Sequence, residues 1–464
     1  MSEEINVVIL AAGKGTRLGV DTPKPLLPFQ NSNLISQVLR EVKELGKDIS
    51  VKVTVIVGHK KDEVIKNINQ HRIIENIEFV YQNQQLGTGH AISEYLNQTK
   101  NKSDEVLVLC ADTPLVSASS LYDLMSFKKD KNYLAAGLSF IAKDPSGYGR
   151  IKRYANAYGI NIIEEKDAGE EDKKITEVNS GIYLVNTNYL KEKISSLDNK
   201  NKSGEFYLTD IIDKSKPCGF LVYKNGEKTF LGVNTMKQLE EVEQIARLDR
   251  VSHFQDNGVR FIDASSVYID KMVEIESGVT IMPNVHLRGE TKIKSNCIID
   301  TGSIISNSLI NNNVQILPYT IIDDSEINSS AVVGPFARIR PGTQIGENCK
   351  VGNFVETKKS LLKAGSKVSH LSYVGDAEIG ERTNIGCGFI TCNYDGKDKH
   401  KTVIGSNCFI GSDSQMIAPV NIGNNCFVAS GSTINSDLND GDFAISRTRQ
   451  VTKVGLAKKF LKNK

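Results

Sequence analysis

Two stretches of this 464-residue chain gather side chains that can do chemistry. In the first, the apolar run Val7-Val8-Ile9-Leu10 leads into Ala11-Ala12-Gly13-Lys14-Gly15-Thr16-Arg17-Leu18, with Pro23-Lys24-Pro25-Leu26 shortly after. Small residues behind a buried strand let backbone N–H groups close on a phosphate, and Arg17 and Lys24 add positive charge. The loop lacks the Gly-Lys-Ser/Thr ending of a Walker loop, which excludes that form of phosphate binding. A second apolar run, residues 106–109, continues into Cys110-Ala111-Asp112-Thr113-Pro114-Leu115. A carboxylate at the C-terminal end of a central strand is where an open α/β sheet places its ligand chemistry. Taken alone, Asp112 reads equally well as a turn former before Thr-Pro.

The second stretch lies in the C-terminal half. Arg338-Ile339-Arg340-Pro341-Gly342, Gly352-Asn353-Phe354-Val355-Glu356-Thr357-Lys358-Lys359, His370-Leu371-Ser372-Tyr373-Val374-Gly375-Asp376, Asn384-Ile385-Gly386 and Thr391-Cys392-Asn393-Tyr394-Asp395-Gly396, with Lys399, fall within about 60 residues. A pure scaffold has no need to gather Arg, Lys, Glu, His, Tyr and Asn in one tract.

The elements that must position these residues differ between the halves. From Ile269 an aliphatic residue recurs every sixth position through Ile275, Ile281, Leu287, Ile293, Ile299 and Ile305. The beat returns at Ile404, Ile410, Met416, Ile422, Val428 and Ile434, and other phases (Ile310, Ile316, Ile322; Ile327, Val333, Ile339, Ile345, Val351) fill the middle. Neither a helix nor a flat strand has that period; stacked β-helix coils do. Residues 1–232 lack it and alternate apolar strands, such as Val51–Val57, with helical stretches. Thr235 and Gln238 have capping-box spacing, and Leu239, Val242, Ile245, Ala246 and Phe254 recur at helical intervals, so a helical arm is expected between the halves. The boundaries read as 1–232, a linker helix over 233–255, a β-helix over 256–450 and a basic tail over 451–464.

Composition narrows the class. Lys plus Arg number 57 against 55 Asp plus Glu, so the net charge of +2 favours neither nucleic acid nor an anionic membrane as partner. No 18-residue apolar run and no signal-peptide pattern is present, and a soluble cytoplasmic protein is expected. Of the eight cysteines, Cys297, Cys349, Cys408 and Cys426 each stand two positions before a beat residue. That repeated slot suits a small buried side chain. With no CxxC pair, free thiols in a reducing compartment are the first reading, metal or disulfide roles the second.

The N-terminal half resembles the sugar-phosphate nucleotidylyltransferases. The match runs from Ile5 to about Asn234, through the loop 10–17, Pro23-Lys24, Gln85-Leu86-Gly87-Thr88-Gly89-His90-Ala91, Tyr148-Gly149-Arg150, residues 164–168, Asn179-Ser180-Gly181 and Gly232-Val233-Asn234. The resemblance implies a Rossmann-like α/β domain. In it Leu10, Ala11, Ala12, Gly13, Lys24, Gln82, Gly87 and Thr88 contact UTP, and Gly149, Glu164 and Asn179 contact the sugar. It further implies that Asp112 and Asn234 hold Mg²⁺, while Lys24 and Arg17 stabilise charge as a sugar-1-phosphate attacks the α-phosphate and pyrophosphate leaves. One departure is Cys110-Ala111, where the family usually has Gly before the metal Asp.

The C-terminal tract, with the arm before it, resembles the acetyltransferase half of the bifunctional bacterial enzymes that acetylate glucosamine-1-phosphate and then uridylylate the product. This implies a left-handed parallel β-helix that trimerises, with acetyl sites between neighbouring subunits. His370 corresponds to the general base that takes a proton from the sugar amine, a role suited to an unperturbed pKa near ~6.5, and Glu356 to its orienting partner or that of the amine. Arg340, Lys358, Tyr373, Asn384 and Lys399 correspond to glucosamine-1-phosphate contacts. Cys387, Asn393, Tyr394, Ser412, Ser430 and Arg447 correspond to acetyl-CoA contacts, with Cys387 and Ser430 standing where alanine is usual. Residues 453–464 read either as a cover for a neighbour's CoA pocket or as a solubilising end.

The implied product is UDP-N-acetylglucosamine, a precursor of cell-wall, peptidoglycan and lipopolysaccharide sugars. Two other readings compete. One is a single-activity nucleotidylyltransferase whose β-helix only oligomerises or regulates, against which Glu356, His370 and Asn393-Tyr394 stand. The other is a non-enzymatic subunit of the same layout, against which Arg17, Lys24, Asp112 and Asn234 stand.

Overall fold

The computed structural model describes residues 4–100, 103–155 and 159–461. The chain forms two compact units, Met1–Ala246 and Arg247–Lys464.

In the first unit, β1 (Ile5–Ala11) is the apolar run identified above, and its alternate side chains enter two different cores. Val7 and Ile9 pack on one face with α1 (Leu34–Leu45), α2 (Lys61–His71) and α4 (Ala118–Lys131). Val8 packs on the other face with α3 (Thr88–Gln98) and the helix Thr187–Ser195. A strand covered on both sides needs an unbroken apolar run rather than an alternating one. Parallel partners flank it, β2 (Val51–Val57) on one side and β4 (Glu105–Cys110) on the other.

With β3 (Glu78–Tyr81), β5 (Ala135–Ile141), the hairpin β6 (Arg150–Arg153) and β7 (Ile160–Ile163), β8 (Glu177–Asn186) and β9 (Cys218–Val222), the sheet order is β9-β5-β8-β4-β1-β2-β3. Strand β8 alone runs antiparallel to both of its neighbours in that row, and β6 hangs from it. Strand order reverses beside β1, so the loops after β1 and β4 emerge side by side. Their backbones touch there, Ala111 N donating to Leu10 O at 3.1 Å. This is the crevice in which open α/β sheets bind ligands.

The second unit is a solenoid of three parallel sheets with 11, 10 and 9 strands. Each six-residue beat is a short strand that pairs with its equivalent one coil on: Ile281 with Ile299, Ile299 with Ile316, Ile316 with Val333. The beat residues are stacked in the centre and buried, apart from the half-buried Ile269 at the start. All four cysteines of the repeated slot are buried in that core as free thiols. Between Ile385 and Ile410, adjacent in their column, the chain makes an excursion that carries residues 393–401.

Helix α5 (Met236–Asp256) starts at the expected cap. Thr235 Oγ1 accepts from Gln238 N at 3.2 Å, but the return bond goes one residue further back, from Asn234 N to Gln238 Oε1 at 2.9 Å. The cap therefore also fixes the backbone of Asn234. Leu239, Val242 and Ala246 pack with Leu18, Leu27, Phe29 and Leu34, while Phe254 joins the solenoid core.

Candidate active sites

A cavity of about 320 Å³ opens at the crevice of the first unit. Leu10, Ala11, Ala12, Gly13, Lys24, Gln82, Gly87, Thr88 and Asp112 line it, so this set, proposed from the sequence for the nucleotide, is brought together. Gly13 is open: a Cβ there would meet no atom within 4 Å. Gly87 is the reverse case, with φ near 111° and a Cβ position only 2.4 Å from Phe206 O, so no other residue fits. Gln82 is buried and its amide is aimed, donating to Gly87 O at 3.0 Å. Gln85 and Glu205 also line the cavity. Gln85 belongs to the Gln-Leu-Gly-Thr-Gly motif; Glu205 is remote in sequence and had no local signal.

At the edge of this cavity, Lys24 Nζ donates to Asp112 Oδ2 and, at 2.9 Å, to Asn234 Oδ1. Arg17 donates to the same Asn234 oxygen at 3.1 Å. Strand β4 delivers Asp112, and a backbone bond from Val233 N to Asp112 O, 2.9 Å, holds Asn234 beside it. Two hard oxygens thus converge on one cationic nitrogen, which is the donor set a small divalent metal takes. Among the described residues no cluster of three His, Cys, Asp or Glu suited to a metal exists, so phosphate and water must complete any such shell.

The sugar residues also meet. A Cβ on Gly149 would lie 3.6 Å from Glu164 Oε2 and 3.7 Å from Asn179 Cβ. Thr209, which no motif flagged, donates to Glu164 Oε1 at 3.0 Å, and burial pushes the Glu164 carboxyl above the usual range. Asn179 Nδ2 donates to the Tyr183 hydroxyl at 2.6 Å, leaving its side chain locked in one orientation. The thiol of Cys110 fills the space facing Gly181, whose carbonyl it approaches at 3.8 Å, and burial drives its pKa to about 12. Such a thiol is a neutral wall, not a nucleophile.

In the solenoid, coil stacking places Arg338, Glu356 and Tyr373 in one column, and Lys367 and Asn384 in the adjacent sheet. Lys399, at the base of the 393–401 excursion, comes to Lys358. The Lys399 ammonium, and after it Arg340, hold Lys358 below the ordinary lysine range. Three cations crowded together favour a dianion such as a phosphate monoester. The excursion is tied down by Asn393 Nδ2 donating to Asp376 Oδ2 at 2.5 Å and by the His400–Asp395 pair at 2.7 Å. Glu356 accepts from Arg340 at 2.7 Å. Its carboxylate thus engages that guanidinium rather than the imidazole of His370, which is exposed at the end of its strand.

Cys387, Ser412 and Ser430 each stand two residues past a core position of one column (Ile385, Ile410, Val428), and Asp413 N and Gly431 N bond to the carbonyls of Cys387 and Ser412 at 2.7 and 2.8 Å. Arg447 closes the row, donating to Ser430 O at 2.6 Å. Tyr394 is exposed on the excursion, its hydroxyl bonded to Gly396 O. Cys387, Ser412, Ser430 and Arg447 therefore follow one another along one corner, Cys387 half-buried and the other three exposed, whereas Asn393 is buried and Tyr394 exposed beyond the next strand, Ile390–Cys392.

A phosphate crevice on an α/β sheet joined to a polar-lined solenoid defines a nucleotidyltransferase fused to a hexapeptide-repeat transferase. The Nucleotidyl transferase family matches residues 6–227, and the Bacterial transferase hexapeptide (six repeats) family matches residues 324–359 and 401–436. The bifunctional protein GlmU of Clostridioides difficile is 40% identical over 459 residues, covering 97% of each chain. That of Geotalea uraniireducens is 39% identical over 451 residues, again covering 97% of each, and that of Staphylococcus haemolyticus 40% over 458 residues, covering 98% of this chain and 99% of its own. The chain belongs to the family of bifunctional GlmU proteins. It is a two-site transferase, and its solenoid is the left-handed β-helix of hexapeptide-repeat proteins.

Proposed function

We propose that the two sites divide the synthesis of UDP-N-acetylglucosamine as their residues suggest: acetyl transfer from acetyl-CoA to glucosamine-1-phosphate on the solenoid, then uridylyl transfer from UTP to N-acetylglucosamine-1-phosphate in the crevice. The observation that carries the two-reaction reading is the cationic trio Arg340, Lys358 and Lys399, for which a purely structural solenoid has no use. These three bind the sugar phosphate, and Tyr373 and Asn384 face the sugar. His370 takes the proton as the amine attacks the thioester carbonyl and the C–S bond breaks, releasing CoA. Glu356, paired with Arg340, orients the clamp. Cys387, Asn393, Tyr394, Ser412, Ser430 and Arg447 line the coenzyme.

In the crevice the attacking group is already an anionic phosphate oxygen, so no general base is needed and catalysis is positioning plus charge neutralisation. Backbone groups of residues 10–13 receive phosphate, Gln82, Gly87 and Thr88 the base, and Gly149, Glu164 and Asn179 the acetylated sugar. Asp112 and Asn234 would hold Mg²⁺, which when bound neutralises phosphate charge. Lys24 and Arg17 supply the remaining positive charge. We assign residues 1–232 to this reaction, 233–255 to the arm and 256–450 to acetyl transfer; residues 462–464 of the tail lie outside the described residues. Exposed stacked rings, Tyr319-Phe336-Phe354 and Phe409-Phe427-Phe443, leave apolar surface on the solenoid that supports a homotrimer. We place the enzyme in the cytoplasm, acting on small soluble substrates; no helix among the described residues is long and apolar enough to cross a membrane.

Supplying glucosamine-1-phosphate, acetyl-CoA, UTP and Mg²⁺ and weighing the products by mass spectrometry tests the reading. UDP-N-acetylglucosamine, CoA and pyrophosphate are expected. EDTA should stop uridylyl transfer and spare acetyl transfer; equal loss of both would contradict the assignment of the metal to the crevice alone.

A further inference from the structure

Lys24 occupies the point on which Asp112 and Asn234 converge. Its ammonium donates to the carboxylate of one and, at 2.9 Å, to the amide oxygen of the other, and the ion pair is well sheltered, with side chains 13% and 24% exposed. We infer that Lys24 is a resident competitor of the divalent cation for those two oxygens, and that nucleotide phosphates draw it off, so that metal is admitted only together with the nucleotide. The inference rests on the reading of Asp112 and Asn234 as the metal pair.

A divalent ion and the ammonium contend for the same carboxylate and amide oxygen: each raises the cost of the other, and sheltering from water weakens screening. A divalent ion arriving alone must therefore displace an ammonium that already satisfies both oxygens. In return it gains one carboxylate and one amide while giving up tightly held water. That exchange is close to neutral, so affinity for metal alone is low. A triphosphate changes the balance on both sides. It offers Lys24 anionic oxygens in the same cavity, which Lys24 and Gly13 line together, and it brings further hard ligands for the metal.

The geometry lets Lys24 make the move. It opens the short turn Lys24–Leu26 behind Pro23, which fixes its backbone. Gly15, at φ +62°, leaves room for the base of its stem, a Cβ there lying 3.0 Å from Lys24 Cβ. The upper methylenes remain free to swing on a four-carbon chain. Arg17 also donates to the Asn234 oxygen at 3.1 Å, so it must turn to the phosphates together with Lys24 before that oxygen is open to metal. Linkage then requires reciprocity: nucleotide tightens metal and metal tightens nucleotide by the same factor.

The test titrates Mn²⁺ alone into the full-length protein, with free Mn²⁺ read by electron paramagnetic resonance, for wild type, Lys24→Met, Lys24→Gln, Lys24→Arg and Asp112→Ala. Removing the competing charge leaves Asp112 uncompensated, so Lys24→Met and Lys24→Gln should bind Mn²⁺ about tenfold more tightly than wild type, while Lys24→Arg stays near wild type. Two neutral replacements guard against one that perturbs the loop. Adding UTP should tighten Mn²⁺ in the wild type and shrink the difference. Wild type binding Mn²⁺ alone as tightly as both neutral variants overturns the competition. The Asp112→Ala arm separates this from failure of the underlying assignment: if that variant keeps UTP-dependent Mn²⁺ binding, the metal pair itself is wrong; if it loses it while the Lys24 variants show no tightening, only the competition is wrong.

Discussion

At the scale of single residues, environment sets what each charged group does. Lys358 is charged below its pKa, and Lys399 and Arg340 depress that pKa, so the clamp loses a cation at a lower pH than an ordinary lysine would allow. The KM for glucosamine-1-phosphate should therefore rise with pH on the alkaline side before isolated lysines titrate, and Lys358→Met should raise it about tenfold at neutral pH and flatten that rise. Initial-rate kinetics across pH with the acetyl-CoA concentration saturating would check both. Glu164 is the opposite case, a carboxyl whose folded pKa burial raises. The folded protein then holds that proton more tightly than the unfolded chain, so this group's contribution to stability is full below the ordinary glutamate pKa and is lost as pH rises through the raised value. Glu164→Gln should remove that fall in melting temperature above the acid range while weakening sugar binding in the crevice, since the amide cannot accept hydroxyl protons through both atoms.

At the scale of elements, the solenoid turns sequence spacing directly into position. Coils stack so tightly at some glycines that no side chain fits: a Cβ on Gly411 would lie 2.4 Å from Ser430 N, and one on Gly386 2.5 Å from Ser412 N. Gly411→Ala must push apart the corner that aligns Ser412 and Ser430, so acetyl transfer should drop with a raised KM for acetyl-CoA, a lowered melting temperature by calorimetry, and unchanged uridylyl transfer. The same directness explains why so much was legible. A beat of six needs no tertiary information, because each aliphatic residue meets its own equivalent one coil on, as Ile299 meets Ile316. In the α/β unit the apolar runs at 7–10 and 106–109 and the glycine loop marked the crevice for a similar reason, since strand order and connection rules put such loops together. What could not be read was contact across unrelated spacings. Thr209 on Glu164, Glu205 at the nucleotide cavity and the meeting of Lys399 with Lys358 depend on loop paths. The Glu356–Arg340 pair was hidden likewise, because motif order names the members of a cluster without saying which of them bond.

At the scale of the whole molecule, the residues proposed for the two reactions fall in different compact units of the chain: Lys24, Asp112 and Asn234 in Met1–Ala246, and Arg340, Lys358, His370 and Lys399 in Arg247–Lys464. Exposed ring ladders on the solenoid favour association, and with chains of 51.1 kDa light scattering should find a trimer of roughly 150 kDa. A monomer with full acetyl transfer would remove the basis for shared sites. Because no described residue belongs to both reacting sets, substitutions in one should leave the other nearly untouched. His370→Ala removes the proposed base and should lower acetyl transfer by about 10²–10⁴-fold, with uridylylation of supplied N-acetylglucosamine-1-phosphate near wild type. Asp112→Ala should do the reverse. Mixing the two purified variants should then restore flow from glucosamine-1-phosphate to UDP-N-acetylglucosamine, because the acetylated sugar phosphate made by one is free to diffuse to the other. Retained acetylation in His370→Ala would move the base elsewhere. Loss of uridylylation in a folded His370→Ala protein would show instead that the solenoid acts on the crevice, and a mixture that failed to recover flow would mean that the intermediate is passed on without release.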